Sequence, residues 1–266
     1  STKAFYSQIV AGYVLALFFA QLLKTMPDEA IARDIETLED APDLMMRVIR
    51  GRDAIRKSAW NLVRRKQYWA VVGSGINKVA SDEVRIKLSE LCYKTISSDV
   101  IEDKKHIDLS SEPLILVCAA GSPEIVIDDI VKDVAIFKAH AATVVVITDE
   151  GEDRFDGISD AVVRVPRAGF PLSVIFNTLA GHLWGYYAAC SLDELASTMK
   201  GFRTSLAEIT RGHQSREYTV YESIADRELH RAIDTYAAEF KRWRARGELA
   251  SMSNEVASDI ALLFKY

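Results

Sequence analysis

The stretch Tyr68-Trp-Ala-Val-Val-Gly-Ser-Gly75 runs directly into Ile76-Asn-Lys-Val-Ala-Ser-Asp-Glu-Val-Arg-Ile-Lys-Leu-Ser-Glu-Leu-Cys-Tyr93, and a polar segment then leads to His106. A short apolar run that stops at Gly73, Ser74 and Gly75 predicts a buried strand closed by a tight turn. The pattern after the turn is helical, so a helix N-terminus faces the end of the strand. On that helix Glu83, Lys87 and Glu90 stand four and then three residues apart, a spacing that puts all three on one face. An acid, an amine and a second acid side by side form a candidate proton-transfer group. The same spacing also describes an ordinary solvated, salt-bridged helix face. The Gly-Ser-Gly turn lacks the third glycine of a dinucleotide fingerprint, and no clear acidic residue closes the next strand.

Toward the N-terminus the chain reads as helices. The first, roughly residues 3 to 24, is apolar nearly all round and is expected to be buried. Its run from Ile9 to Leu23 carries Gln8 and Gln21 at the edges and is read as too short for a membrane span. Met26-Pro27-Asp28 separates it from a second segment over Ala30 to Arg50, broken at Pro42, and a basic amphipathic segment follows over Asp53 to Lys66. Toward the C-terminus the apolar runs Leu114–Ala119, Ala142–Thr148 and Ala161–Val165 alternate with helical patterns over Ile127–His140 and Pro171–Ala189. With Trp69–Val72 as the first strand, this alternation predicts an α/β fold: a parallel sheet between two helical layers. Beyond Cys190 the chain becomes charged and helical, over Leu192–Arg211 and Thr219–Tyr266, with a polar hinge at Arg211-Gly-His-Gln-Ser-Arg216. The organisation expected is N-terminal helices (1–66), a three-layer α/β domain (67–190) and a C-terminal helical extension (191–266).

Composition narrows the function. The 266 residues are 49% apolar and 27% charged, enough for a sizeable core. A net charge of −5 gives no general attraction to nucleic acid. The cluster Lys241-Arg-Trp-Arg-Ala-Arg246 accordingly reads as a solvated helix face. Cys92, Cys118 and Cys190 are far apart and show no metal-ligand spacing; Cys118 and Cys190 lie in apolar segments and read as core thiols. A reduced, cytoplasmic setting is expected, with neither membrane nor nucleic acid as partner.

Two further positions carry possible chemistry. Gly121-Ser122-Pro123-Glu124 follows a strand and opens a helix, so Ser122 and free backbone N–H groups would either hold an anion such as a sugar phosphate or simply cap the helix. His106, behind Asp103-Lys104-Lys105, is a candidate acid–base group in a polar loop. His140 and His182 fall in helices and read as structural; His213 and His230 have no identifiable partner in sequence.

These residues together resemble the second sugar isomerase (SIS) half of the isomerase region of the glutamine–fructose-6-phosphate amidotransferases, the glucosamine-6-phosphate synthase family. Ser1-Thr-Lys-Ala-Phe5 is similar to the motif that joins the two SIS halves and touches the sugar there, which implies Ser1 and Thr2 as substrate-binding residues. Glu83-x-x-x-Lys87-x-x-Glu90-x-x-Tyr93 is similar to the family's Glu-Gly-Ala-Leu-Lys-Leu-Lys-Glu-Ile-Ser-Tyr helix, whose last glutamate is the isomerisation base; that role falls on Glu90, beside Lys87 and Glu83. The loop histidine of Gly-Glu-Leu-Lys-His-Gly-Pro, which assists ring opening, falls on His106. The resemblance covers roughly Ser1 to Ala189. It implies a three-layer SIS fold and aldose–ketose chemistry on a hexose 6-phosphate without metal or cofactor. It also implies a homo-oligomer, because that histidine enters the neighbouring subunit's site.

The sequence departs from the pattern at several points. Val84 replaces the helix glycine, Asp103 the loop glutamate, and Ile107-Asp108 the Gly-Pro. The family tail that supplies an active-site lysine has no counterpart among the helices after Leu192. The missing first SIS half and initiator Met suggest a piece of a longer protein. Two other readings of the same resemblance are a deglycase acting on an amino-sugar phosphate and a non-catalytic, sugar-phosphate-binding SIS domain.

Overall fold

A computed structural model describes residues 2–106, 112–250 and 252–264. Four helices come first: α1 (Thr2–Leu22), α2 (Asp28–Glu39), α3 (Ala41–Arg50) and α4 (Arg52–Leu62), the last running into a 3-10 turn at Val63–Arg65. Then follow β1 (Trp69–Gly73), α5 (Asn77–Cys92), β2 (Ile96–Asp99), α6 (Ile101–Lys104), β3 (Leu114–Cys118), α7 (Glu124–Ala139), β4 (Thr143–Asp149) and β5 (Ala161–Val165). The chain closes with α8 (Leu172–Ser215), α9 (Val220–Ile224), α10 (Arg227–Ala245) and α11 (Asn254–Leu263).

The strands form one five-stranded parallel sheet in the order β2-β1-β3-β4-β5. β1 and β3 are buried at every position, the mark of strands covered on both faces. Val72, Val117 and Val146 point to one face and pack with Ile127, Val134 and Phe137 of α7. On the opposite face Trp69 meets Trp184 of α8 edge to face, their centroids 6.0 Å apart. This is the three-layer α/β arrangement expected from the alternation of strands and helices.

Three local expectations are corrected. The polar segment before His106 contains a strand, β2, paired with β1 at the sheet edge. Only Ile96 of Ile-Ser-Ser-Asp is buried, so an edge strand of this kind carries no period-2 signal. The polar hinge at Arg211–Arg216 is helical as far as Ser215. Helix α1 is not buried: among its described residues only Leu17 is, while Leu15, Phe18, Phe19 and Leu22 are exposed. Its window Ala4–Leu22 is 19 residues long and apolar enough to cross a membrane by length and composition, contrary to the reading from sequence. One side of α1 is nonetheless tied down by polar bonds. Tyr13 donates to Asp34 at 2.7 Å, and the Tyr6 hydroxyl is hydrogen-bonded to His182 at 2.7 Å.

The chain divides into two compact units, one of residues 1–59 and 68–187, the other of residues 60–67 and 188–266. The first holds the sheet. The second is helical, with a small core of Leu195, Phe240 and Leu249 against which Met199, Trp243, Ile260 and Phe264 pack. Arg64 fastens its short N-terminal piece: it donates to the Ser191 carbonyl from Nη2 at 2.6 Å and to Ser191 Oγ from Nε at 2.9 Å, and it pairs with Glu194. Trp243, the aromatic of the basic cluster, belongs to this core, while Lys241, Arg242, Arg244 and Arg246 are exposed, as a solvated helix face requires.

Candidate functional site

The turn after β1 exists because α5 begins almost on top of it. A Cβ on Gly73 would lie 2.3 Å from the Asn77 carbonyl oxygen, so only glycine fits. The helix that follows presents Glu83, Lys87 and Glu90 on one face, and the three differ sharply in surroundings. The Glu83 side chain is 16% exposed and that of Glu90 58%. Lys87 donates to Glu90 Oε2 at 2.7 Å. Burial pushes the Glu83 carboxyl above its usual range, a rise that Lys87 opposes and Glu90 reinforces. The hydrogen bond from Lys87 holds Glu90 below the usual range.

The fourth member of this group was read from sequence as a structural residue. His182 of α8 places Nε2 3.4 Å from Glu83 Oε1. That contact is an ion-pair distance without hydrogen-bond geometry, and Nε2 is a buried nitrogen with no hydrogen-bond partner among the described residues. Nδ1 is engaged by Tyr6. Burial drives the His182 imidazole down to about 4, with the Lys87 charge adding to the effect, so the ring is neutral near pH 7. Burial likewise carries the Tyr6 phenol well above its usual range.

Gly181 explains how His182 comes so near. A Cβ there would fall 2.4 Å from Val84 Cγ2, so the bare glycine lets α8 close onto α5 beside Val84, the residue that replaces a glycine of the SIS pattern. The cue available in sequence was a lone histidine after a glycine in an otherwise apolar helix. Its partner Tyr6, far away in the chain, gave no signal.

The other candidates are placed as follows. His106 is exposed just past α6, and its ring has no hydrogen bond or ion pair among the described residues. The segment before it is anchored by Lys105, which donates to Asp133 of α7 at 3.1 Å and pairs with Glu102 at 2.6 Å. Thr2 opens α1; Ser1 lies outside the described residues, as do Ile107 and Asp108. Tyr93 ends α5 in a left-handed conformation (φ 53°) and is 94% exposed, so it lies off the functional face.

Ser122 stands at the crevice between the ends of β1 and β3, where the strand order reverses. It does not cap α7: the cap position is Pro123, without a side-chain bond. Asn77 Nδ2 instead donates to Ser122 Oγ at 3.1 Å and to the Ala120 carbonyl at 3.0 Å, while Asn177 bonds the same carbonyl and Asn77 Oδ1. Two of the backbone N–H groups ahead of the helix are occupied. Gly121 N–H goes to the Asp149 carboxylate and Ser122 N–H to the Ala119 carbonyl. The adjoining polar cavity of about 260 Å³ is lined by Asp149, Glu152 and Glu124 against the single cation Arg167, a poor setting for a phosphate dianion. No group of three or more His, Cys, Asp and Glu side chains able to hold a metal occurs among the described residues.

No protein-family model matches the chain. It is 27% identical over 200 residues to a glutamine–fructose-6-phosphate aminotransferase (isomerizing) of Clostridium acetobutylicum, which covers 73% of this chain and 33% of that protein. To the protein of the same name from Streptomyces coelicolor it is 30% identical over 171 residues, covering 62% of this chain and 28% of that one. Among solved structures, the C-terminal domain of glucosamine-fructose-6-phosphate aminotransferase from Francisella tularensis superposes with a TM-score of 0.63 at 23% identity, over 72% of this chain and 54% of that one. The chain thus spans about a third of the length of the curated relatives it matches. Its sheet and flanking helices have the SIS fold, and it is homologous to the C-terminal part of those aminotransferases.

Proposed function

For a chain homologous to the isomerase part of the glutamine–fructose-6-phosphate aminotransferases, we propose that the α5 face is a sugar-phosphate isomerisation site within a longer protein. The observation that carries the reading is the pair of carboxylates on one helix face, pushed in opposite directions, with Lys87 hydrogen-bonded to Glu90 and its charge also felt by Glu83. In this reading Glu90, kept ionised by Lys87, moves a proton between C1 and C2 of an open-chain hexose 6-phosphate. Glu83 holds the lysine in register. His106, remote in its contacts from that face, serves ring opening in the site of a second copy. Thr2 and Ser1 are assigned to sugar binding by the resemblance alone, and Ser122, whose oxygen is held by Asn77, offers its hydroxyl proton to a sugar oxygen rather than to phosphate. A cytoplasmic setting agrees with three free cysteines.

The test is Glu90→Gln in the longer protein that carries the remaining segments. Turnover of fructose 6-phosphate is expected to fall about 10²- to 10⁴-fold with binding nearly unchanged, and Glu83→Gln to cost less. Near-normal turnover in Glu90→Gln would remove the base assignment. The bare apolar side of α1 supports a homo-oligomer; light scattering that gives a monomer at high micromolar concentration would refute it.

A second reading, a SIS domain that binds a sugar phosphate without catalysis, is favoured by one observation. Where the SIS pattern has its lysine-bearing tail, α8 simply continues as helix to Ser215.

A further inference from the structure

We infer that Tyr6 and His182 are positioning residues for Glu83: a hydrogen bond from Tyr6 of α1 sets the tautomer of His182 in α8, and the imidazole then presents its N–H to Glu83 on the charged face of α5. The inference rests on the isomerase reading only for its effect on turnover. The direction of the chain follows from the partners. Glu83, when ionised, can only accept, so the imidazole nitrogen facing it must carry the proton. That nitrogen is Nε2, 3.4 Å from Glu83 Oε1 and without another partner, on a side chain only 9% exposed. A neutral imidazole has one N–H, so Nδ1 is left with a lone pair and Tyr6 must donate to it, across 2.7 Å. The reverse order would set a lone pair against a carboxylate.

Among the described residues the groups that face Glu83 are then Lys87 and Glu90 from its own helix and His182 from α8, with Tyr6 of α1 behind His182. Lys87 is committed to Glu90, so His182 is the donor available to orient Glu83. At 3.4 Å the contact is one short movement from a hydrogen bond, the usual state of such contacts before substrate binds. The Gly181–Val84 approach fixes where the imidazole stands along α5.

The experiment is nitrogen NMR of the whole chain labelled with ¹⁵N-histidine, the His182 signals assigned with His182→Gln. At pH 7 His182 should be a single neutral tautomer with its proton on Nε2. In Tyr6→Phe the two ring nitrogens should move toward averaged positions as the Nδ1–H tautomer becomes populated. A proton on Nδ1 in the parent chain overturns the inference without recourse to any variant; so do unchanged ring signals in Tyr6→Phe. In the longer protein, Tyr6→Phe should lower kcat about three- to tenfold, the worth of one neutral hydrogen bond, with KM unchanged. If the tautomer responds as described while turnover is unchanged, the Tyr6–His182 bond stands but the positioning role for Glu83 is overturned; a parent protein without turnover removes the isomerase reading alone and leaves the tautomer result to decide the inference.

Discussion

Glu83 and Glu90 are the same kind of group on the same face of the same helix, two turns apart, yet they are opposite physical objects. Glu83 looks inward, against α8, and burial makes its charge costly. Glu90 looks outward, and Lys87 makes its charge easy. The spacing that aligns them says nothing of this difference, because it arises from what packs on the helix rather than from the helix. A site needs such a difference, since two carboxylates with the same surroundings would do the same thing. What separates them here is burial on one side, where His182 stands beside Glu83, and the Lys87 hydrogen bond on the other.

The largest consequence lies in how stability depends on pH. The imidazole of His182 titrates near 4 in the folded chain against about 6.5 when unfolded. Between those values the unfolded chain takes up a proton that the folded chain refuses, so stability is full above about pH 6.5 and falls as the pH drops toward 4. The loss should approach roughly 3 kcal/mol, read as the difference in unfolding free energy between the parent and His182→Gln across that window. A parent chain whose pH profile runs parallel to the variant's would mean that His182 is not held neutral, and the buried neighbour of Glu83 would then carry a charge.

The next test is of the approach itself. At an open helix position, Gly→Ala stabilises by about 0.5–1 kcal/mol. At Gly181 the new Cβ would meet Val84 Cγ2, and Gly181→Ala should instead destabilise by about 1–3 kcal/mol. Val84→Ala on that background should recover part of the loss, a coupling measurable as a double-mutant cycle in urea. Stabilisation by Gly181→Ala alone would show that α8 does not bear on α5 at this point.

How much of this was legible in the sequence depends on the range of the interaction. The sheet was, because β1, β3 and β4 are apolar runs separated by helical ones, and so was a break near Pro42, which falls at Asp40 with Pro42 in the first turn of α3. Lys87 with Glu90 was legible too, being a contact three residues apart on one helix. β2 was hidden because an edge strand with one buried residue has no period. The exposure of α1 was hidden because apolarity reports what a helix can bury, not whether anything covers it. Tyr6–His182–Glu83 joins three elements across 176 and 99 residues of chain, and neither propensity nor spacing reaches that far. Ser122 shows the reverse case: a serine before a helix suggested a cap, and a tertiary partner, Asn77, donates to its oxygen instead, while the neighbouring Gly121 N–H is held by Asp149.

The smallest effect is the most direct comparison of the two carboxylates, because the sign alone decides it. Glu83 has its folded value raised. Its ionised form is therefore disfavoured by folding, and removing the charge with Glu83→Gln should leave the chain slightly more stable at pH 7, an advantage that disappears as the pH falls and Glu83 itself protonates. Glu90 has its folded value lowered, so its contribution is present at neutral pH and lost in acid. Glu90→Gln should move the unfolding midpoint slightly down at pH 7 and not at all at low pH. Salt separates them further. The Lys87–Glu90 pair is exposed on its acidic side and should be screened at high ionic strength, so the Glu90→Gln effect shrinks toward zero, whereas the cost of burying Glu83 is a matter of desolvation and should persist. Urea midpoints of the two variants at low and high salt measure all of this in one series. Shifts of the same sign would mean that the two carboxylates share one environment, and the α5 face would then be the plain solvated surface that its spacing also describes.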